Sequence, residues 1–167
     1  MRVLGIDPGT VTMGYGLIEG RDDELNVLDY GVLTASKRIP LIDRLHELYV
    51  RLLELVTCCQ PDEIAIEEPF VARNARSALA MGQAQAVAIL AARINSIPIY
   101  AYAPSRVKQA VADHGSSKKE QVQEMVRIQL GLPQIPQPND SADALAVAIC
   151  HFREKKISKL IMQSELR

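Results

Sequence analysis

Apolar positions follow a strand-like pattern at the start of the chain and a helix-like pattern afterwards. Residues 2–6, apolar after Arg2, are closed by Asp7-Pro8-Gly9, which predicts a short buried strand ending in a turn, with Pro8-Gly9 suited to type II geometry. Residues 12–18 and 25–34 predict two further strands joined through Asp22-Asp23, so the chain opens as an antiparallel meander. After Pro40, Leu41, Leu45, Leu48, Leu52 and Val56 recur every three or four residues, which predicts a helix to about Cys59, stopped by Pro61. Residues 63–67 (EIAIE) predict a fourth strand and residues 97–102 a fifth. Between them residues 75–94 predict a long Ala-rich helix containing Gly82. Helices are expected at 105–112, 119–130 and 141–151, with a proline-marked loop before the last. The order predicts an α/β domain with a mixed sheet flanked by helices.

Length and composition narrow the class without naming a chemistry. The 167 residues, 48% hydrophobic and 23% charged, suit one soluble domain and exclude a two-lobed enzyme. We expect this domain over residues 1–153 and a charged, flexible tail over 154–167. Cys58, Cys59 and Cys150 form no disulfide framework and no metal ribbon, which suits a reducing compartment. The N-terminal apolar run is too short for a signal segment, and residues 78–92, with Gln83 and Gln85, are expected to fall short of a membrane span. A cytoplasmic protein with no membrane partner is therefore expected. Net charge is −1, but residues 69–119 hold seven basic side chains against the single acid Asp113. That asymmetry can build a positive face on a neutral chain.

The candidate chemistry lies in the acids. Asp7 ends the first strand, Glu67 and Glu68 end the fourth, and Asp140 and Asp143 begin the last helix. Each has an ordinary explanation: a turn residue, a solvated strand end, or an N-cap close to a capping box. Glu67 and Glu68 face opposite ways on an extended chain, so only one can point at a given site. If strands one and four are neighbours and the last helix lies over them, carboxylates from all three meet. Their repulsion would raise their pKa values, and divalent cations would remove it. An all-oxygen set selects Mg²⁺ or Mn²⁺ over zinc. Two such ions can activate a water against a phosphodiester. His46, His114 and His151 have no metal-ligand spacing and are expected to be structural or exposed.

Several motifs in order carry a resemblance. GIDPGT and GYG within residues 5–16, NARSALAMGQA at 74–84, AIEEPF at 65–70, SRVKQAV at 105–111 followed by GSSKKEQV, and NDSADALAVAI at 139–149 resemble the RuvC family of Holliday junction resolvases. The match spans residues 1–153. It implies an RNase H-like fold with a five-stranded mixed sheet. It also implies metal-holding catalytic acids at Asp7, Glu67, Asp140 and Asp143, and favours Glu67 over Glu68. By the same resemblance Phe70 stacks on a base at the junction centre, and Lys108 and Lys119 lie near the DNA backbone. Lys118, Arg73, Arg76 and Arg106 are added as DNA contacts from the charge distribution alone. The implied activity is Mg²⁺-dependent paired nicking of a four-way DNA junction by a bacterial homodimer, with two ions per subunit and Mn²⁺ as substitute. Collaboration with a RuvA–RuvB branch-migration complex is implied too. The Ala-rich helix is the candidate dimer surface. The rivals are a lobe of a sugar kinase or actin-like protein, an RNase H-like nuclease for RNA or flaps, and a non-catalytic junction binder.

Overall fold

Side-chain parity along two neighbouring strands divides the core in two. In β1 (Arg2–Asp7), Val3 faces one side while Leu4 and Ile6 face the other. In β4 (Glu63–Glu67), Ala65 joins Val3 while Ile64 and Ile66 join Leu4 and Ile6. Both strands are thus apolar on both faces, as central parallel strands must be. β2 (Thr12–Arg21) pairs antiparallel to β1 and β3 (Glu24–Thr34) antiparallel to β2, completing the meander with Arg21 opposite Glu24 and Asp22 at a φ of 52° in the connection. β5 (Ile99–Tyr102) pairs parallel to β4, giving the sheet order β3-β2-β1-β4-β5. These features come from a computed structural model describing residues 1–22, 24–68 and 75–165.

The helices cover both faces. α1 (Leu41–Cys59) and α2 (Ala75–Ile94) pack on the Leu4–Ile6 side through Leu48, Leu52, Val56 and the alanines 84, 88, 91 and 92. α1 ends at Gln60, whose left-handed φ of 45° closes the last turn before Pro61. α3 (Pro104–Ala112), α4 (Lys119–Gln129) and α5 (Asn139–Glu165) occupy the other side around Leu145, Val147 and Ile149.

α5 lies close against the strands because the strands carry glycine there. A Cβ on Gly5 would strike the Ala144 carbonyl oxygen, one on Gly14 the Asp140 carbonyl oxygen, and one on Gly16 the side chain of Leu145. The motif glycines of β1 and β2 are therefore seats for a helix backbone. Gly9 is likewise small because Thr12 is in the way, and its φ is not positive, so the expected type II turn at Pro8-Gly9 does not form.

Two expectations about helices need correction. The last helix does not stop at His151 but runs to Glu165. Its sequence there has no glycine or proline to end it. Arg106 pairs with Glu154 at 2.7 Å and Lys155 donates to Glu63 at 2.9 Å, which ties the extension to the domain across residue 153. The expected tail boundary rested on charge, which does not break a helix. Second, α2 is long and apolar enough to cross a membrane by length and composition, although residues 78–92 were expected to fall short. Only 22% of its apolar window is buried, and it packs by its alanine face on the sheet.

The glycine seats carry a quantitative consequence. Gly5→Ala should lower stability by about 1–3 kcal/mol, the usual cost of overpacking against atoms that cannot retreat. Urea denaturation measures this, and an unchanged midpoint would mean that α5 is free to move off the sheet.

Candidate active site

β1 and β4 are parallel with Ile6 opposite Ile66, so the next residues, Asp7 and Glu67, emerge side by side at the same sheet edge. Both sit on the face covered by α5. The helix starts at Asn139, one residue before the expected cap, so Asp140 belongs to its first turn. Ser141 instead uses its hydroxyl to donate to the Pro138 carbonyl at 2.7 Å. The Asp140 carboxylate is released from capping, and the positive end of the α5 dipole points at the acids.

Asp7, Asp140 and Asp143 each offer a carboxylate oxygen, and these three oxygens lie within 4.8 Å of one another. Glu67 stands outside that tightest group, but its charge acts on Asp7 and it feels Asp143. Burial pushes the Asp7 carboxyl up to about 8, and the charges of Glu67, Asp143 and Asp140 push the same way. Burial also lifts Glu67 to about 6, with Asp143 adding and Lys119 and Lys108 opposing. Glu68 is exposed and lines the same cleft from the next position. The cleft holds about 790 Å³ between Glu67, Ser105, Lys108 and the carboxylates.

Lys119 enters the cleft from the first residue of α4 and meets Asp143 at 2.5 Å. Burial lowers its pKa, but the hydrogen bond and charge of Asp143, with Asp7 and Asp140 behind it, raise it overall. One ammonium among four acids leaves a deficit of positive charge. Hard, all-oxygen ligands with such a deficit fit a hydrated divalent cation such as Mg²⁺.

The remaining expected residues divide cleanly. Lys108 lines the cleft. Lys118 is exposed at the start of α4, where its backbone N–H donates to Gln121 Oε1 at 2.9 Å. Arg76 is exposed in the first turn of α2. Arg106 pairs with Glu154 on α5 at 2.7 Å, with its side chain half exposed. Phe70 and Arg73 lie outside the described residues. His46 and His114 are exposed, while His151 is fully buried. Sequence reasoning missed the glycine seats, which read as strand residues, and the ion pair of Lys119 with Asp143, whose partners are 24 positions apart without periodic relation.

Comparisons with known proteins identify the family and the fold. The model of the family described as crossover junction endodeoxyribonuclease RuvC matches residues 3–151. A crossover junction endodeoxyribonuclease RuvC of Dehalococcoides mccartyi is 51% identical over 166 residues, covering 99% of both chains. That of Chloroflexus aggregans is 50% identical over 151 residues, covering 90% of this chain and 92% of the other. Among solved structures, Thermus thermophilus RuvC in complex with a Holliday junction substrate superposes with a TM-score of 0.86 at 35% identity, over 94% of this chain and 96% of that one. The yeast mitochondrial Holliday junction resolvase Ydc2 shares the fold, with a TM-score of 0.61 at 17% identity over 89% of this chain and 78% of that one.

The raised pKa of Asp7 fixes a sign for pH dependence. A carboxyl that titrates near 8 when folded and near 3.8 when unfolded favours folding in its protonated form. Stability should therefore fall as pH rises across that window in EDTA. Asp7→Asn should lose less and melt a few degrees above the wild type at pH 8, since about 1 kcal/mol moves Tm by about 2–4 °C at this size. Calorimetry of both proteins from pH 5 to 8 checks this.

Proposed function

The chain belongs to the RuvC family of crossover junction endodeoxyribonucleases, and from that premise we propose that it resolves four-way DNA junctions by paired, symmetric nicks. The observation that carries the reading is the convergence of Asp7, Asp140 and Asp143 at a cleft lined by Asp7, Glu67, Asp143, Lys108 and Lys119. We assign Asp7, Glu67, Asp140 and Asp143 as the holders of two Mg²⁺ ions per subunit, with Mn²⁺ as substitute. When bound, these ions would acidify an attacking water and neutralise the phosphodiester. The ends would be 5′-phosphate and 3′-hydroxyl, because the bond broken is the one to the 3′ oxygen.

The chain's own residues supply placement. Asp7 and Glu67 are fixed by the strand register, and Asp143 is fixed by α5 and by the ammonium of Lys119. Lys119 and Lys108 bring positive charge to the side of the cleft where a phosphate would enter. Phe70 is assigned to the junction centre by family membership, and Lys118, Arg73 and Arg76 to the outer backbone contacts by their charge. The RuvA–RuvB branch-migration complex is assigned as a partner on the same membership.

A junction has two like strands related by a two-fold axis, so paired nicking calls for a dimer with two equivalent sites. α2 offers the surface. Leu79, Gln83, Ala86, Leu90 and Ile94 recur along its exposed side, with Leu79 66% and Leu90 57% exposed. Gly82, in the same helix, has nothing within 4 Å of where a Cβ would sit. Glycine weakens a helix interior by about 1 kcal/mol relative to alanine, so this residue suits close approach by a second subunit.

Two experiments test the reading. Incubation with a synthetic mobile junction and Mg²⁺ should give paired nicks that EDTA stops, with duplex and RNA–DNA hybrid left whole; preferential cutting of the hybrid would replace the junction by RNA as substrate. Asp7→Asn should slow nicking at least about a hundredfold, beyond what loss of a ligand's supporting partner costs, while junction binding persists. For the dimer, Leu90→Glu should convert a species of twice the 18.4 kDa chain mass into a single chain in sedimentation equilibrium.

A further inference from the structure

A partly buried polar chain joins α5 to β4 and β5, away from the acids of the site and unused by the chemistry above. His151 is fully buried on α5. Its Nε2 lies 2.5 Å from Glu63 Oε2 at the start of β4, and its Nδ1 lies 2.7 Å from the Tyr102 hydroxyl on β5. An ionised carboxylate only accepts, so Nε2–H donates to Glu63 and Nδ1 accepts from the Tyr102 O–H. This is the neutral ring, consistent with a pKa that burial lowers against the pull of Glu63. One turn on, Lys155 donates to Glu63 Oε1 at 2.9 Å and to the Tyr100 hydroxyl at 2.8 Å.

These ties are in phase with the site. Glu63 and Glu67 are four strand residues apart and share a face, a separation of about 13 Å. Asp143 and His151 are eight helical residues apart, a separation of about 12 Å. Tyr102 pairs in register with Glu67 itself. α5 runs away from the site as β4 runs toward it, so a bond between His151 and Glu63 sets Asp143 level with Glu67. The contacts of α5 with the glycines of β1 and β2 are steric and limit how near the helix comes, whereas hydrogen bonds of defined direction limit how it slides.

Resting on the function proposed above, we propose that Glu63, His151 and Tyr102, supported by Lys155, are positioning residues that hold α5 in axial register and thereby set the distance from Glu67 to Asp140 and Asp143. Without this tie the like charges of the site favour a displaced helix, and the acids no longer meet as one set.

The test compares Tyr102→Phe, which keeps the ring and removes one hydrogen bond, with Glu63→Ala and Glu63→Gln in the full chain. Mn²⁺ binding is titrated by electron paramagnetic resonance, beside melting temperature, junction affinity in EDTA and the single-turnover rate at saturating junction. Tyr102→Phe and Glu63→Ala should weaken Mn²⁺ binding by at least about threefold, below the roughly 10- to 100-fold effect of removing a ligand's direct partner. The single-turnover rate should fall with it and junction affinity should hold. Glu63→Gln, whose amide oxygen still accepts from Nε2–H, should recover most of the loss. Wild-type Mn²⁺ binding in Tyr102→Phe and Glu63→Ala overturns the proposal, and so does a lowered melting temperature with Mn²⁺ binding unchanged. Equal defects in Glu63→Ala and Glu63→Gln overturn it as well. Should the wild type bind Mn²⁺ yet leave junctions whole, the assigned function fails, while the Mn²⁺ comparison still decides the clamp.

Discussion

Like charge brought together below the surface is the constraint around which this molecule is arranged. Asp7, Asp140 and Asp143 present oxygens within 4.8 Å of one another, and Glu67 adds a fourth negative group beside them. Left in water these groups would separate. Burial removes the solvent that would screen them, and Asp7 answers by holding its proton up to a pH of about 8. A fold that keeps such a cluster must oppose that repulsion with contacts elsewhere, and the contacts are found along α5.

α5 is opposed from three directions. The glycines of β1 and β2 allow its backbone to approach within van der Waals reach, where Leu145, Val147 and Ile149 enter the core. Lys119 reaches from α4 to Asp143 and offsets part of the negative charge. The polar chain through Glu63 and the buried His151 links the helix to β4 and β5. Apolar packing supplies most of the attraction, because it scales with area and needs no direction. The polar links add orientation.

The same arrangement explains how one cleft holds both signs of charge. Carboxylates come from the sheet edge and the start of α5, whereas Lys108 and Lys119 come from α3 and the start of α4. A polyanionic substrate is repelled by the first set and attracted by the second. Hard cations between them would reconcile the two, which is why the donor set and the basic rim belong to one chemistry. On the far face, opposite α5, α2 leaves an apolar side uncovered.

Strand and helix identities were legible because they depend on local periodicity: the meander, α1 with its stop at Pro61, and the acids at the ends of β1 and β4 all follow from neighbours in sequence. The motif order also carried the family. The end of α5 is not legible in the sequence, because charge alone does not end a helix and lysine and glutamate sustain one that nothing breaks. Pro8-Gly9 was assigned a turn by composition, although steric room near Thr12 is what glycine supplies there. What the sequence by itself determined was which residues are acidic, basic, apolar or small, and where local order begins and ends. Only the tertiary structure decided that Gly5 and Gly14 seat a helix, that Arg106 faces Glu154, and that Lys119 meets Asp143. Those pairings join residues remote along the chain, and their free energy depends on distance and burial, which exist only once the sheet and α5 have come together.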